Sequence, residues 1–405
     1  MKFTNKCSLA LILTTNKFTN TTTTLTVGQF LARYFPLFDF LFILRRGLLA
    51  MLISMCSVPS CSNAPAIETD FKTYYQRLGN IIGQDVTDIN KTAQQKQHDW
   101  LAQFASWRIA DLNTQTTQAN TLSSNNDITL NDFYALPDCL DVKSLIAEKN
   151  SSLGRVRTSL SDFIYQHKLF SRFDKCAAFA SNSTIESQSE TQPSTAIQFL
   201  QLKQQKFNDA QNSWRELIFR GDEYTQARYA TAPLIEPPIQ QHLSSISNLR
   251  LLVNIQRSLS SSELFVTETQ LGAPDYQPLF TAFNQLSQQR TPARLLITLH
   301  YFTVQLELST QRIKPIFTEW TCTSTKQQTK ANYLGNVFKL FFADTIQQKA
   351  SAINRLYYEI NPLLTELDPN YGTRVGTQFD KYQLAMREHI SMWQTLFKQC
   401  QISPG

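Results

Sequence analysis

The densest group of chemically capable side chains lies at residues 146–156, Ile-Ala-Glu-Lys-Asn-Ser-Ser-Leu-Gly-Arg-Val. Glu148, Asn150, Ser151, Ser152 and Arg155 place a carboxylate, an amide, two hydroxyls and a guanidinium within two helical turns of sequence. Three chemistries are open to them. As a helix–turn–helix corner, Asn150 ends one helix, Ser151 or Ser152 caps the next through its hydroxyl, and Gly154 permits close packing. As a ligand contact, backbone N–H groups at the second helix start, with Arg155 and the hydroxyls, hold an anionic group. As an envelope hydrolase or transferase, Glu148 and Ser152 pair for acyl transfer, although no orienting histidine lies nearby in sequence.

The remaining candidates for chemistry are sparse. There is no H-E-x-x-H, G-x-S-x-G or Walker-type phosphate loop. The five histidines, His98, His167, His242, His300 and His389, are scattered. His300 sits in an apolar run and His389 beside the core stripe of the last helix, so both read as core histidines. No C-x-x-C occurs and no histidine stands at ligand spacing from a cysteine, so neither a metal nor a cofactor is expected.

Cysteine placement says more about compartment. Arg45-Arg46, a short apolar stretch to Met55 and the run Val58-Pro59-Ser60-Cys61 resemble a bacterial lipoprotein signal peptide, with Cys61 as the acylated residue. Phe35 to Ser54 is interrupted by Asp39, Arg45 and Arg46, which argues against an uncleaved anchor. Residues 1–60 therefore read as a leader, with translation expected to begin near Leu44 because the segment before the arginine pair is long for a signal. Ser62 after the cysteine points to the inner leaflet of the outer membrane, facing the periplasm. Past Cys61 stand Cys139, Cys176, Cys322 and Cys400, an even number that suggests two disulfides in an exported protein. Of three connectivities, sequential pairing (Cys139–Cys176, Cys322–Cys400) is preferred because each bond then closes one half of the chain.

Charge supports the same division. The formal net charge is +6, from 38 Lys+Arg against 32 Asp+Glu. Residues 1–60 hold six bases and only Asp39 as an acid, which leaves residues 61–405 with 32 bases and 31 acids, a formal +1. A nucleic-acid partner needs clustered Lys and Arg on the folded body, and no such run is found. The partners expected are the membrane, through the lipid, and an unknown envelope protein.

The elements that must position these residues are helices. Ile67, Phe71, Tyr74, Leu78 and Ile81 keep three- and four-residue spacing, and Leu200, with Phe207, Ala210, Trp214 and Leu217 beginning two turns later, shares one face in the same way, closed by Gly221 as a C-cap. Thr291-Pro292 reads as a cap and first-turn proline for the run Leu295 to Leu308. Phe379, Tyr382, Met386, Ile390, Trp393, Phe397 and Cys400 form the clearest stripe. Strand alternation with Asn-Gly or Asp-Gly turns is absent, so the fold class is all-α, a multi-helix bundle. Two polar stretches, 113–127 and 180–195, bury too little to offset ordering entropy and are expected as mobile loops. The second would divide residues 61–405 into lobes 64–180 and 195–405, each closed by a disulfide.

Leu136-Pro137-Asp138-Cys139, followed by residues 145–156, resembles a proteobacterial family of predicted lipoproteins catalogued as domain of unknown function 3080. Lys203 through Trp214 to Phe219, Asn336-Val337-Phe338 through Phe341 to Gln347, and His389 through Trp393-Gln394 to Cys400 are also similar to it. The similarity runs from about residue 66 to 400, and the asparagine–diserine segment is its specific part. Lys149 stands where arginine is expected in many relatives, keeping the charge but not the fork geometry. The resemblance implies an exported, helical, cysteine-paired protein. It implies no activity, and the binding, scaffold or accessory role expected here rests on the leader, the balanced charge and the absence of catalytic signatures.

Overall fold

The computed structural model describes residues 67–86, 88–119, 140–151, 158–183, 195–230, 239–261 and 275–403. In chain order the helices are α1 (Ile67–Ile82), α2 (Asp88–Ala119), α3 (Leu140–Asn150), α4 (Ser159–Ser183), α5 (Thr195–Arg220), α6 (Asp222–Arg228) and α7 (Ile239–Ser261). They continue as α8 (Gln277–Gln289), α9 (Thr291–Thr318), α10 (Thr325–Val337), a π-helical segment (Phe338–Ile346), α11 (Gln347–Leu367) and α12 (Pro369–Cys400). No strand occurs among the described residues, and the fold is an all-α bundle. The leader 1–60, Cys61 and Ser62 lie outside the described residues.

The centre of the bundle is α9. Its buried residues run almost without a break from Thr291 to Leu306 and cover more than one face. A helix apolar on all sides must be enclosed, and α1, α2, α11 and α12 pack around it. Among the described residues no helix is long and apolar enough to cross a membrane. Helix α12 lies alongside α9 in the same direction: Gln378 donates to Thr303, Phe302 meets Tyr382 edge-on, and Phe317 meets Trp393 further up. One hydrophobic core includes Leu160 and Phe163 of α4, Trp214 of α5, Leu252 of α7 and Trp393 of α12.

The sequence from Thr325 to Leu367 forms one unbroken helical rod with the π segment in its middle. The spacing of its inward residues explains the π turn. Leu334, Phe338, Phe342, Ile346 and Ala350 follow one another at strict four-residue steps, and all pack on the core. On an α-helix each such step drifts by about 40° around the axis, so this row would spiral off the core. The wider i→i+5 turn takes back that drift. Thr345 marks the geometry, donating to the carbonyl of Leu340 at 3.0 Å.

Several joints are set by single residues. Ser324 and Gln327 form a reciprocal capping box that starts α10. Asp368 caps α12, accepting from the Tyr371 N–H at 3.1 Å with Pro369 in the first turn. Gly372 lets α12 fold back against α11, since a Cβ there would sit 2.4 Å from Thr365 Oγ1. Gly221 does follow α5, but with φ −56° it is no left-handed cap. It is required by closeness instead: a Cβ would meet the Leu217 carbonyl at 2.4 Å. The first-turn proline of α9 is as expected, whereas Thr291 does not cap. The preceding residue, Arg290, is left-handed (φ 51°), and the Thr291 hydroxyl turns inward to Ser245 at 2.7 Å.

Two further expectations shift. Helix α2 runs on to Ala119 and α4 to Ser183, so 113–119 and 180–183 are helical rather than loop. Gln, Asn, Thr and Ser carry only modest helix penalties, and a helix already begun continues through them. Residues 120–127 and 184–194 lie outside the described residues, and Thr195 opens α5. The bond between Cys322 and Cys400 is formed, with Cα atoms 5.3 Å apart, and ties the α9–α10 connection to the end of α12. Its 78-residue span corresponds to roughly 4 kcal/mol in the chain-entropy picture. Cys139 and the side chain of Cys176 lie outside the described residues.

Asp368 also carries the most enclosed inter-helix ion pair described, to Arg228 of α6, with side chains 4% and 5% exposed. Arg228 donates further to the Phe219 carbonyl, and Tyr371 donates to the Arg228 carbonyl. Replacing Asp368 by Asn keeps the cap but strands a buried guanidinium. Asp368→Asn should therefore lower unfolding stability by about 3 kcal/mol or more, measured as a shift of the urea midpoint. A change within about 0.5 kcal/mol would show that the pair is not load-carrying.

Candidate functional site

The corner singled out in the sequence is seen in part. Glu148, Asn150 and Ser151 are exposed at the end of α3. Ser151 terminates the helix before it. Its N–H and hydroxyl both donate back to the Glu148 carbonyl, at 3.2 and 2.7 Å, closing α3. Lys149 lies over the Tyr165 ring at 5.2 Å, a role in which the lysine charge suffices. Ser152 and Arg155 lie outside the described residues, so the cluster is neither assembled nor dispersed by what is seen.

The structure brings together a different set. His389 of α12 is fully buried between α1 and α9. Trp393 Nε1, which can only donate, reaches the Tyr74 hydroxyl at 2.9 Å. Tyr74 in turn meets His389 Nε2 at 2.9 Å, so its proton points to that nitrogen. The other nitrogen, Nδ1, then carries the hydrogen and donates toward Thr310 Oγ1 (3.0 Å) and Ser309 Oγ (3.2 Å). Every ring position is engaged by the neutral form. Burial pushes the His389 pKa down to about 3 and the Tyr74 hydroxyl far up. Ser309 and His389 thus share a hydrogen bond reminiscent of a nucleophile and base, but both side chains are closed off from solvent.

His98 is exposed on α2 beside Asp99, whereas the other three histidines are packed among side chains. His167 bonds Tyr276 at 2.7 Å, His242 bonds Thr291 at 3.2 Å, and His300 stacks on Trp100 with centroids 4.2 Å apart. Burial lowers all three pKa values to about 4, with Arg294 adding to the shift at His242 and Lys381 at His300. Trp214 and Trp393 are core residues, and Trp100 and Trp320 pack partly buried against the same core. Among the described residues no group of three His, Cys, Asp or Glu side chains is placed to hold a metal ion.

Open surface with chemical character lies directly outside the His389 relay. Two adjoining hollows of about 340 and 540 Å³ follow the seam between α9 and α12 and share Lys314, Thr318 and Glu388. One holds Lys314 and Arg387 over a base of buried Phe317 and Met392. The other gathers Glu307, Glu319 and Glu388 beside Pro315. Burial raises the pKa of Glu307, Glu388 adds to the rise, and Lys96 and Lys381 oppose it. Charges of both signs therefore line the groove over an apolar base, with Lys314 and Glu388 common to both hollows, Arg387 added in one, and Glu307 and Glu319 in the other.

Sequence reasoning missed these residues. A charged face that lines a groove has the same pattern as one that faces water. Only the side-by-side course of α9 and α12 distinguishes them.

The fold is thus a disulfide-clamped helical bundle with His167, His242 and His389 buried and an open charged groove between α9 and α12. The chain belongs to the protein family of unknown function DUF3080, whose profile matches residues 71–404. No curated protein and no solved structure matches it.

Protonation of the enclosed histidines sets a pH dependence. Their folded pKa values lie below the ordinary 6.5, so the unfolded chain binds more protons between that value and about 4. Stability should be fully present above pH 6.5 and fall as pH drops toward 4. Each of His167, His242 and His389 would contribute a slope approaching about 1.4 kcal/mol per pH unit. Urea midpoints measured from neutral pH to pH 4.5 check this, and a flat profile would contradict it.

Proposed function

We propose that the protein is a lipid-anchored, periplasm-facing envelope protein that works by binding, as a scaffold or accessory factor, and that the α9–α12 groove is its recognition face. The observation that carries the reading is the groove itself, in which Lys314 and Glu388 lie between Arg387 at one part and Glu307 and Glu319 at the next. Both walls are long helices whose inner faces are fixed in the core, so the groove is preorganised and binding need not order it. Interspersed charges of both signs suit a protein partner with a complementary charge pattern, where they set register and orientation.

The compartment is supported independently. The leader leads to Cys61, and a disulfide persists in an oxidising environment such as the periplasm. Acylation of Cys61 would hold the body at the outer membrane's inner leaflet.

Two experiments test the parts separately. Cys61→Ala should remove the acyl chains from the N-terminal peptide by mass spectrometry, and a lipid that persists would sink the anchor. A photo-crosslinking residue at Thr318 or Thr395, both exposed on the groove, should capture a discrete protein adduct in the intact envelope. Reversing Lys314 and Arg387 to Glu should cut that adduct about tenfold, as a shift of 1.4 kcal/mol would, with thermal stability unchanged. An adduct indifferent to the reversal would place the binding face elsewhere.

A further inference from the structure

On another side of the bundle, α6, α8 and the start of α4 enclose an open pocket of about 610 Å³. Its base is apolar, made by Leu160 and Phe283, which are 4% and 0% exposed. Phe280 stands beside it with 42% of its surface exposed. On α8, Phe280, Asn284 and Ser287 follow at four- and three-residue steps, so they share one face. Asp222 and Gln226 oppose them from α6, again one turn apart, and Thr158 completes the rim.

The free valences of these groups are specific. Gln288 donates to Asn284 Oδ1 at 3.0 Å, which leaves the Asn284 amide nitrogen as the donor it can offer. Ser287 donates its proton to the Asn284 carbonyl at 2.8 Å, so its oxygen faces a ligand as an acceptor. Asp222 adds acceptor-only oxygens, and Gln226 offers both kinds. The rim is thus rich in planar amide and carboxylate groups around an exposed aromatic ring. Among the described residues that line it, Asp222 carries the one formal charge.

We infer that this pocket binds a neutral saccharide. A sugar ring has an apolar C–H face and a belt of hydroxyls that donate and accept at once. The Phe280 ring matches the face, and the Asn284, Gln226, Asp222 and Ser287 groups match the belt. The size lies within the range of small-molecule sites. An anionic sugar is disfavoured because Asp222 would oppose it, and no cation stands among the described rim residues to compensate. The inference does not depend on lipid anchorage or on the α9–α12 groove.

Calorimetry and saturation-transfer NMR on the full-length protein with tri-N-acetylchitotriose, maltotriose and a galacturonate trimer test it. At least one neutral trimer should bind in the millimolar range or tighter, and the galacturonate trimer at least several-fold more weakly. Phe280→Ala should weaken binding about tenfold, Phe280→Tyr should restore it, and Asn284→Ala should weaken it as well. Phe280 is exposed, so its loss leaves the core intact, and an unchanged melting temperature verifies this. Absence of binding by both neutral trimers, binding indifferent to Phe280→Ala, or equal binding of the uronate would each overturn the assignment.

Discussion

The Trp393–Tyr74–His389–Thr310 relay sits where the first described helix, the central helix and the last helix meet. Each member can complete its hydrogen bonding only if the other helices are in register. A buried polar network of this kind is costly when partly satisfied and strongly specifying when complete. It therefore fixes α1 against the α9–α12 pair, which packs through Phe302, Phe317, Tyr382 and Trp393. The aromatic rings of Phe317, Phe338 and Phe342 close around it and exclude water.

From that seam the remaining architecture follows. The α9–α12 pair needs cover on its inner side, and the rod from Thr325 to Leu367 provides it. The rod can do so along its whole length because the π segment re-registers a row of core residues that an α-helix would turn away. At the lower end the Arg228–Asp368 pair joins α6 to the start of α12, and at the upper end the Cys322–Cys400 bond closes the loop that leads into the rod. The outer side of the seam is left uncovered at Lys314, Arg387 and Glu388. The rigidity that the relay gives the inner side is thereby passed to the groove outside it.

Much of this was legible in the residues alone. Three- and four-residue spacing from Ile67 to Leu78 and from Phe379 to Cys400 is enough to place α1 and α12 and their buried faces. The pairing of Cys322 with Cys400 could be preferred from chain halves. His389 could be read as a core histidine from its neighbours, but its partners could not, because Tyr74 and Thr310 lie far from it in sequence. The four-step row from Leu334 to Ala350 was present in the sequence as a signal for the π turn, yet helical periodicity tolerates single four-residue steps and conceals a run of them. The polar stretches misled for a related reason: composition reports what a segment can bury, and a helix end needs little burial to persist. The grooves were not legible at all, since they arise from which helices become neighbours.

The central physical claim is that His389 is a neutral, fully engaged hinge of the core rather than a base available to a substrate. Nitrogen-15 NMR of the histidine rings through a pH titration reads this directly. The account predicts that His389 stays in the neutral form with its hydrogen on Nδ1 down to the pH at which the fold itself is lost. A reversible titration of that ring near pH 6.5 in the folded protein would contradict it, because it would require a solvent-open imidazole.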